Sequence, residues 1–442
     1  MRARLLPLLA LLALACTREA PRPTDLVVVS IDTLRRDALR AYDPEGLALP
    51  ALDAFAAESV RMTRAVSTAP WTLPAHASLL TGLYPDRHGA TDPRVSLDER
   101  AHTLAQTLAA HGYETAGFVS GGYLRREFGL GRGFGLYRDD PADAQRQVFD
   151  EAAAFVAERR DPRPLLLFVH TYRLHDYFRL HEAVLARLPR APTRSPGDYL
   201  RCLQGSGPCA TGDWPTLRAL YRAELEDLSA SFGRLCDALV AAGAWERSVV
   251  VVTSDHGEGF EPARGRIHHG GRLHEDQLRI PLLLRVPGVR PRDVATPASL
   301  VDVMPTLLEL AGVPPPADLD GRSLVPWLRG GSDPSPRPLF AQEHAYRWRG
   351  AARLQVRNVQ EHPLAAAVIE GDRWYLHGPG GVEELYDLST DPHQARNVAP
   401  QATDLEALRE LATERTRTRP RTAPVRPEAG LREQLEALGY AQ

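Results

Sequence analysis

The sequence predicts an α/β protein: a doubly wound, mostly parallel sheet followed by a small C-terminal α+β subdomain. Three observations carry this. Short, uniformly apolar runs recur between residues 25 and 288. Helix-period stretches separate them. Beyond residue 325 the pattern changes to a Gly/Pro-rich linker and then to short alternating runs. Strands alternating with helices pack as a parallel sheet covered on both faces, and strands buried on both faces lose polar alternation.

The elements follow in chain order. Arg2 and Arg4 precede the apolar run "LLPLLALLALA", which ends at Cys16. A run of about a dozen residues is short for a membrane span but suits an export signal. Residues 1–15 read as a lipoprotein signal peptide, Cys16 as the lipidated new N-terminus and residues 16–24 as a linker. The alternative is an ordinary secretory signal with an incidental Cys. Either way the chain is exported, and the lipoprotein reading places it on the bacterial cell envelope, held to the membrane by an N-terminal lipid anchor. Strands are expected at 25–32, 112–120, 164–172, 248–255 and 280–288. Helices are expected at about 50–60, 98–111, 143–158, 215–243 and 299–312. Residues 178–214, rich in Pro, Gly and Arg, read as an inserted loop over one end of the sheet. Residues 25–325 form the expected catalytic domain and 326–442 the C-terminal subdomain and tail, with a hairpin at "GPGG" and a helix at "DLEALRELATER".

Composition narrows the function. The net charge is −3, so no global field attracts nucleic acid, and no nucleic-acid-binding motif is present. All 53 basic residues are Arg. Arg and His must therefore do any work an ammonium group would do, and Arg does not give up its proton. Cys202 and Cys209 flank a turn-rich segment in an export compartment, where a local disulfide forms readily. Cys236, on a helical face, reads as a buried free thiol.

In open α/β sheets ligands gather at the carboxyl ends of the strands. The first strand ends at Asp32 and a later one at Asp255-His256. Two acids and an imidazole converging on one edge make a metal-ligand set; the alternative is that each acid caps the following helix. Thr72, in "STAPWTLPAHASLLTG", opens a helical run between Pro70 and Pro74. It is either that helix's N-cap or a nucleophile. Threonine is a weak nucleophile at neutral pH, and a neighbouring divalent cation lowers its pKa. The hydroxyl therefore makes chemical sense beside Asp32, Asp255 and His256.

These segments together resemble the sulfatases and, more broadly, the alkaline phosphatase superfamily. "VVVSIDTLRRDAL" is similar to the family's opening metal strand. "WTLPAHASLLTGLYPDRHG" lies where sulfatases carry Cys/Ser-x-Pro-Ser/Ala-Arg. "FVHTYRLHDYF", "VVVVTSDHGEGF", "HHGGRLHEDQLRIPLLLRVPG", "LVDVMPTLLELAGV", "LDGRSLVPWL", "ELYDLSTDP" and "LEALGY" resemble further blocks. The resemblance implies an alkaline phosphatase/sulfatase-like fold and a hydrolase acting on a sulfate or phosphate ester. Thr72 would stand as nucleophile, and Asp32, Thr72, Asp255 and His256 as ligands of one divalent ion. His76 takes the place of the motif's Arg. His175 and His269 fall at substrate-contacting positions, and His268 could exchange roles with His269. His170 reads as a core histidine, and Arg35 and Arg36 as solvated.

The departures refine this. Threonine cannot give the aldehyde of formylglycine, so none is expected. An imidazole ligand moves the metal preference from Ca²⁺ toward Zn²⁺ or Mn²⁺. Asp98 and His102 have a two-metal spacing, but read as a solvated helix start. Two alternatives stay open: transfer of a phospho group to envelope lipid or glycan, and an inactive, lipid-anchored binding protein.

Overall fold

The computed structural model describes residues 25–139, 144–188, 190–203, 207–210, 212–261, 266–331, 337–344, 365–415, 422–425, 431, 432 and 435. The expected signal peptide, Cys16 and the linker to residue 24 lie outside the described residues, as does most of the Arg/Pro tail.

An eight-stranded sheet forms the centre. Across it the strands are Arg292–Val294, Val60–Met62, Leu282–Arg285, Ser248–Thr253, Asp25–Ile31, Leu165–Thr171, Glu114–Val119 and Leu136–Arg138. Leu282–Arg285 runs antiparallel to both its neighbours, and the other pairings are parallel. The first strand lies in the middle and is buried along its whole length. Its side chains alternate between two cores: Leu26 and Val28 enter one, Val27, Val29 and Ile31 the other. Ser248–Thr253 does the same, with Val249 and Val251 opposed to Val250 and Val252. The unbroken apolar runs are thus strands with a helical layer on each face. Helices Thr72–Thr81 and Val303–Ala311 contribute to the first core. Helices Pro50–Ala57 and Asp213–Ala241 cover the second face, with Val148, Phe149, Ala152 and Val156 of helix Ala144–Glu158.

All five expected strands and all five expected helices are present. One helix is shorter than expected: 98–111 begins only at Leu104, where Thr103 and Gln106 form a reciprocal capping box. Asp98 is not a solvated helix start. It is buried, accepts the Arg100 backbone N–H and pairs with the Arg100 guanidinium at 2.7 Å, while His102 is exposed. Strands Val60–Met62, Leu136–Arg138 and Arg292–Val294 were not expected, because three-residue strands carrying Arg leave no apolar run to read.

Residues 178–214 are not a plain loop. They contain short helices Glu182–Leu185 and Pro196–Leu203, and a Cys202–Cys209 disulfide. Val184, Tyr199, Cys202 and Leu203 join the second core. Cys236 is free and half-buried, and burial pushes its thiol up to about 12. The C-terminal part is a four-stranded antiparallel sheet, Leu339–Glu343, Ala365–Glu370, Arg373–His377 and Glu383–Asp387, with helix Leu405–Glu414 against it. The hairpin turn falls at Pro379–Gly381, as the "GPGG" motif requires.

Candidate metal and nucleophile site

The sheet brings three strand ends together. Ser30 is in register with His170 on one side and Thr253 on the other. Asp32, just past the end of the first strand, and Asp255 and His256, just past Ser248–Thr253, therefore emerge at one edge. All three are fully buried, and one donor atom from each lies within 4.8 Å of the others.

His256 Nδ1 lies 2.9 Å from the Gly257 carbonyl, which can only accept, so Nδ1 carries a proton. In the neutral ring Nε2 is then a lone pair. It faces Asp255 Oδ2 at 3.3 Å and Asp32 Oδ1 at 3.8 Å, and none of these three atoms has a hydrogen-bond partner. His76 Nδ1, 3.5 Å from Asp255 Oδ2, is directed to the Thr72 carbonyl at 2.9 Å, and three buried acceptors converging in this way are unfavourable unless a cation or proton joins them. The remaining carboxylate oxygens are used. Asp255 Oδ1 accepts the backbone N–H groups of His256 at 2.9 Å and Thr33 at 3.2 Å. Asp32 Oδ2 accepts the Thr72 hydroxyl at 3.1 Å. Thr33 adopts φ 56°, and its own hydroxyl turns back to the Asp32 carbonyl.

Burial and the nearby Asp255 charge raise the Asp32 carboxyl well above its usual range. Burial alone would raise Asp255 too, but His256, His76 and His170 hold it below that range. Asp32 thus binds its proton more tightly folded than unfolded. In metal-free protein its contribution to stability is complete below the ordinary carboxyl range and fades as pH rises through the raised value. Chelator-treated protein should therefore lose melting temperature as pH rises, and metal-loaded protein should not; thermal scans over a pH series check this. At a thousandfold excess over Kd, a bound ion adds about 4 kcal/mol.

Thr72 is the first residue of helix Thr72–Thr81. Trp71 occupies the cap position, without a side-chain capping bond. The N-cap alternative is therefore excluded: the Thr72 hydroxyl points to Asp32. Pro74 has no N–H, so the backbone N–H groups of Thr72 and Leu73 open the helix beside that hydroxyl.

His76 lies one turn later on the same helix. Nδ1 is 2.9 Å from the Thr72 carbonyl and Nε2 is 2.9 Å from Ser30 Oγ. Both ring nitrogens are thus engaged by the protein, and His76 pins the helix to the central strand rather than presenting itself to an anion. Burial lowers its pKa, which keeps this neutral arrangement.

His170 is not a satisfied core histidine. Its Nε2 lies 3.4 Å from Asp32 Oδ2, and its Nδ1 has no partner. His175 Nδ1 is held by Asp176 at 2.9 Å, and its ring packs 4.7 Å from that of His269. His269 Nδ1 is 3.1 Å from Glu258 Oε2, and its ring lies 4.6 Å from that of His256. His268 is buried beside it, 4.0 Å between rings. Arg35 is not solvated either. It pairs with Asp37 at 2.6 Å, donates to the Glu258 carbonyl and packs 6.0 Å from the Phe260 ring centroid. Ser30, His170 and Glu258 were missed as site residues. Only the strand register, which the sequence does not state, brings them here.

The sulfatase family model matches residues 24–313, and the model of the N-sulphoglucosamine sulphohydrolase C-terminal region matches residues 268–420. The chain is 26% identical to the multifunctional alkaline phosphatase superfamily protein PehA of Trinickia caryophylli, over 85% of this chain and 91% of that one. It is 27% identical to the steryl-sulfatase of Mus musculus, over 87% and 80%. The phosphonate monoester hydrolase of Agrobacterium radiobacter has the same fold, with TM-score 0.70 and 22% identity over 88% of this chain and 94% of that one. The chain belongs to the sulfatase family, within the alkaline phosphatase superfamily.

Proposed function

We propose that the protein is an exported, metal-dependent hydrolase that cleaves a sulfate or phosphate ester with Thr72 as nucleophile. The observation that carries this is the convergence of the Thr72 hydroxyl, both strand-end carboxylates and the bare His256 Nε2 at one buried edge. Asp32, Thr72, Asp255 and His256 would hold one divalent ion, Zn²⁺ or Mn²⁺ in preference to Ca²⁺. Asp32 Oδ1, Asp255 Oδ2 and His256 Nε2, which have no hydrogen-bond partner, fit such an ion. When bound, it supplies Lewis acidity that lowers the pKa of the Thr72 hydroxyl and neutralises charge on the ester oxygens.

The chain's own residues do the rest. Asp32 Oδ2 accepts a hydrogen bond from the Thr72 hydroxyl and would take its proton as the oxygen attacks. The Thr72 oxygen attacks sulfur or phosphorus in line, and the bond to the bridging ester oxygen breaks. His76, tied to the Thr72 carbonyl and to Ser30, fixes the nucleophile's turn of helix. The N–H groups opening the helix face the equatorial oxygens. His175 and His269, packed against each other beside His256, protonate the leaving oxygen or bind the anion. Water then releases the group from Thr72.

Hydrolysis is favoured over transfer to envelope lipid or glycan because the chain matches the sulfatase family model over residues 24–313. The test is a panel of sulfate monoesters and phosphate mono- and diesters, assayed with chelator-stripped protein and single added metals. Turnover of at least one ester, abolished by chelator and restored by Zn²⁺ or Mn²⁺, is expected; inactivity on the whole panel favours the binding-protein alternative. Cys16 is proposed as the lipid anchor. Cys16→Ser should move the protein from the membrane to the soluble fraction, read by fractionation and immunoblot.

A further inference from the structure

The hairpin after His256 carries a second convergent cluster. Strands Gly259–Glu261 and Arg266–His268 pair antiparallel, with Gly259 opposite His268. The same register sets Glu258 opposite His269. Glu258, His268 and His269 are all buried, and one donor atom from each lies within 4.8 Å of the others. Glu258 Oε1 accepts the Gly259 N–H at 3.0 Å. Oε2 faces His269 Nδ1 at 3.1 Å and His268 Nδ1 at 3.5 Å.

Glu258 Oε2 is within hydrogen-bonding distance of His269 Nδ1, whereas His268 Nδ1 stands at the outer limit of that range. His268 is 3% exposed, and its Nδ1 has no hydrogen-bond partner. Its backbone also sits at φ 58°, a conformation a non-glycine residue adopts at a cost. Two ligand atoms each about 2 Å from one tetrahedral ion lie a little over 3 Å apart, the range of the two Nδ1–Oε2 separations.

We propose that Glu258, His268 and His269 form a second divalent-metal site, one histidine removed from the Asp32–Asp255–His256 centre. Two imidazoles and one carboxylate suit Zn²⁺ or another first-row transition metal better than Ca²⁺ or Mg²⁺. Coordination through His269 Nδ1 leaves that ring's other edge toward His256 and His175, whose rings are 4.6 and 4.7 Å away. One ion balances the charges of Asp32 and Asp255. A second, balanced only by Glu258, gives the pocket a net positive charge in a chain that has no Lys to provide it.

The test uses full-length protein stripped by chelator and titrated with Co²⁺ alone and Zn²⁺ alone, with bound metal read by mass spectrometry and Co²⁺ absorption. Wild type should take up two equivalents. His268→Ala, and the near-isosteric Glu258→Gln as a second variant, should each keep one. Asp255→Asn should also keep one, and the Asp255→Asn/His268→Ala double variant none. One equivalent in wild type, or two in both Glu258→Gln and His268→Ala, overturns the second site. Uptake that Asp255→Asn abolishes and His268→Ala leaves at the wild-type level removes the second site while the first centre stands.

Discussion

Thr72→Ala should lower turnover by at least about a thousandfold while leaving the fold intact. The hydroxyl is fully buried and points at Asp32 Oδ2, 3.1 Å away, not at the backbone of its own helix. Removing it therefore takes away the attacking oxygen without uncapping the helix, whose cap residue is Trp71. Had Thr72 been an N-cap, its loss would cost about 1 kcal/mol of stability and little rate. Steady-state kinetics with a hydrolysable ester, beside a thermal scan, separate these outcomes. Thr72→Ser, which keeps the hydroxyl, should retain measurable turnover.

Asp255→Asn should weaken metal binding at this centre by more than about 100-fold and remove most activity. Asp255 Oδ2 has no hydrogen-bond partner and faces His256 Nε2 at 3.3 Å, so an amide there supplies neither the charge nor the lone-pair geometry. The same substitution should also destabilise metal-free protein near neutral pH, because His256, His76 and His170 hold Asp255 below the usual carboxylate range and its charge therefore stabilises the fold above that range. Calorimetric titration with Zn²⁺ and thermal scans in chelator read the two effects separately. Unchanged affinity would show that the strand-end acids do not hold an ion.

Much of this was legible before any coordinates. The unbroken Val and Leu runs of strands 25–31 and 248–253 announce a sheet buried on both faces, and polar residues at their ends announce the site. Asp32, Thr72, Asp255 and His256 were all readable from strand tips and a Pro-bracketed turn. What was not legible depends on register and on which way a ring points. His170 lies within an apolar strand, and only pairing with Ser30 shows that it sits beside Asp32. Glu258 follows the strand-end pair by two residues and could as well have been solvated. A hairpin with one short strand on each side, invisible to periodicity, folds it against His268 and His269. His76 illustrates the reverse. Its place in the motif suggested contact with the anion, but its two nitrogens are taken up by Thr72 and Ser30. Arg35 looked like one of many solvated arginines, and only the packed Glu258 carbonyl and Asp37 reveal that it braces the hairpin.

The most direct measurement is acid quenching of the enzyme during turnover, followed by peptide mass spectrometry of the segment around position 72. Thr72 should carry the mass of one sulfuryl or phosphoryl group in the quenched sample and an unmodified threonine mass without substrate. Turnover that continues while no adduct forms on Thr72, or an adduct on another residue, would contradict the assignment of this oxygen as the nucleophile.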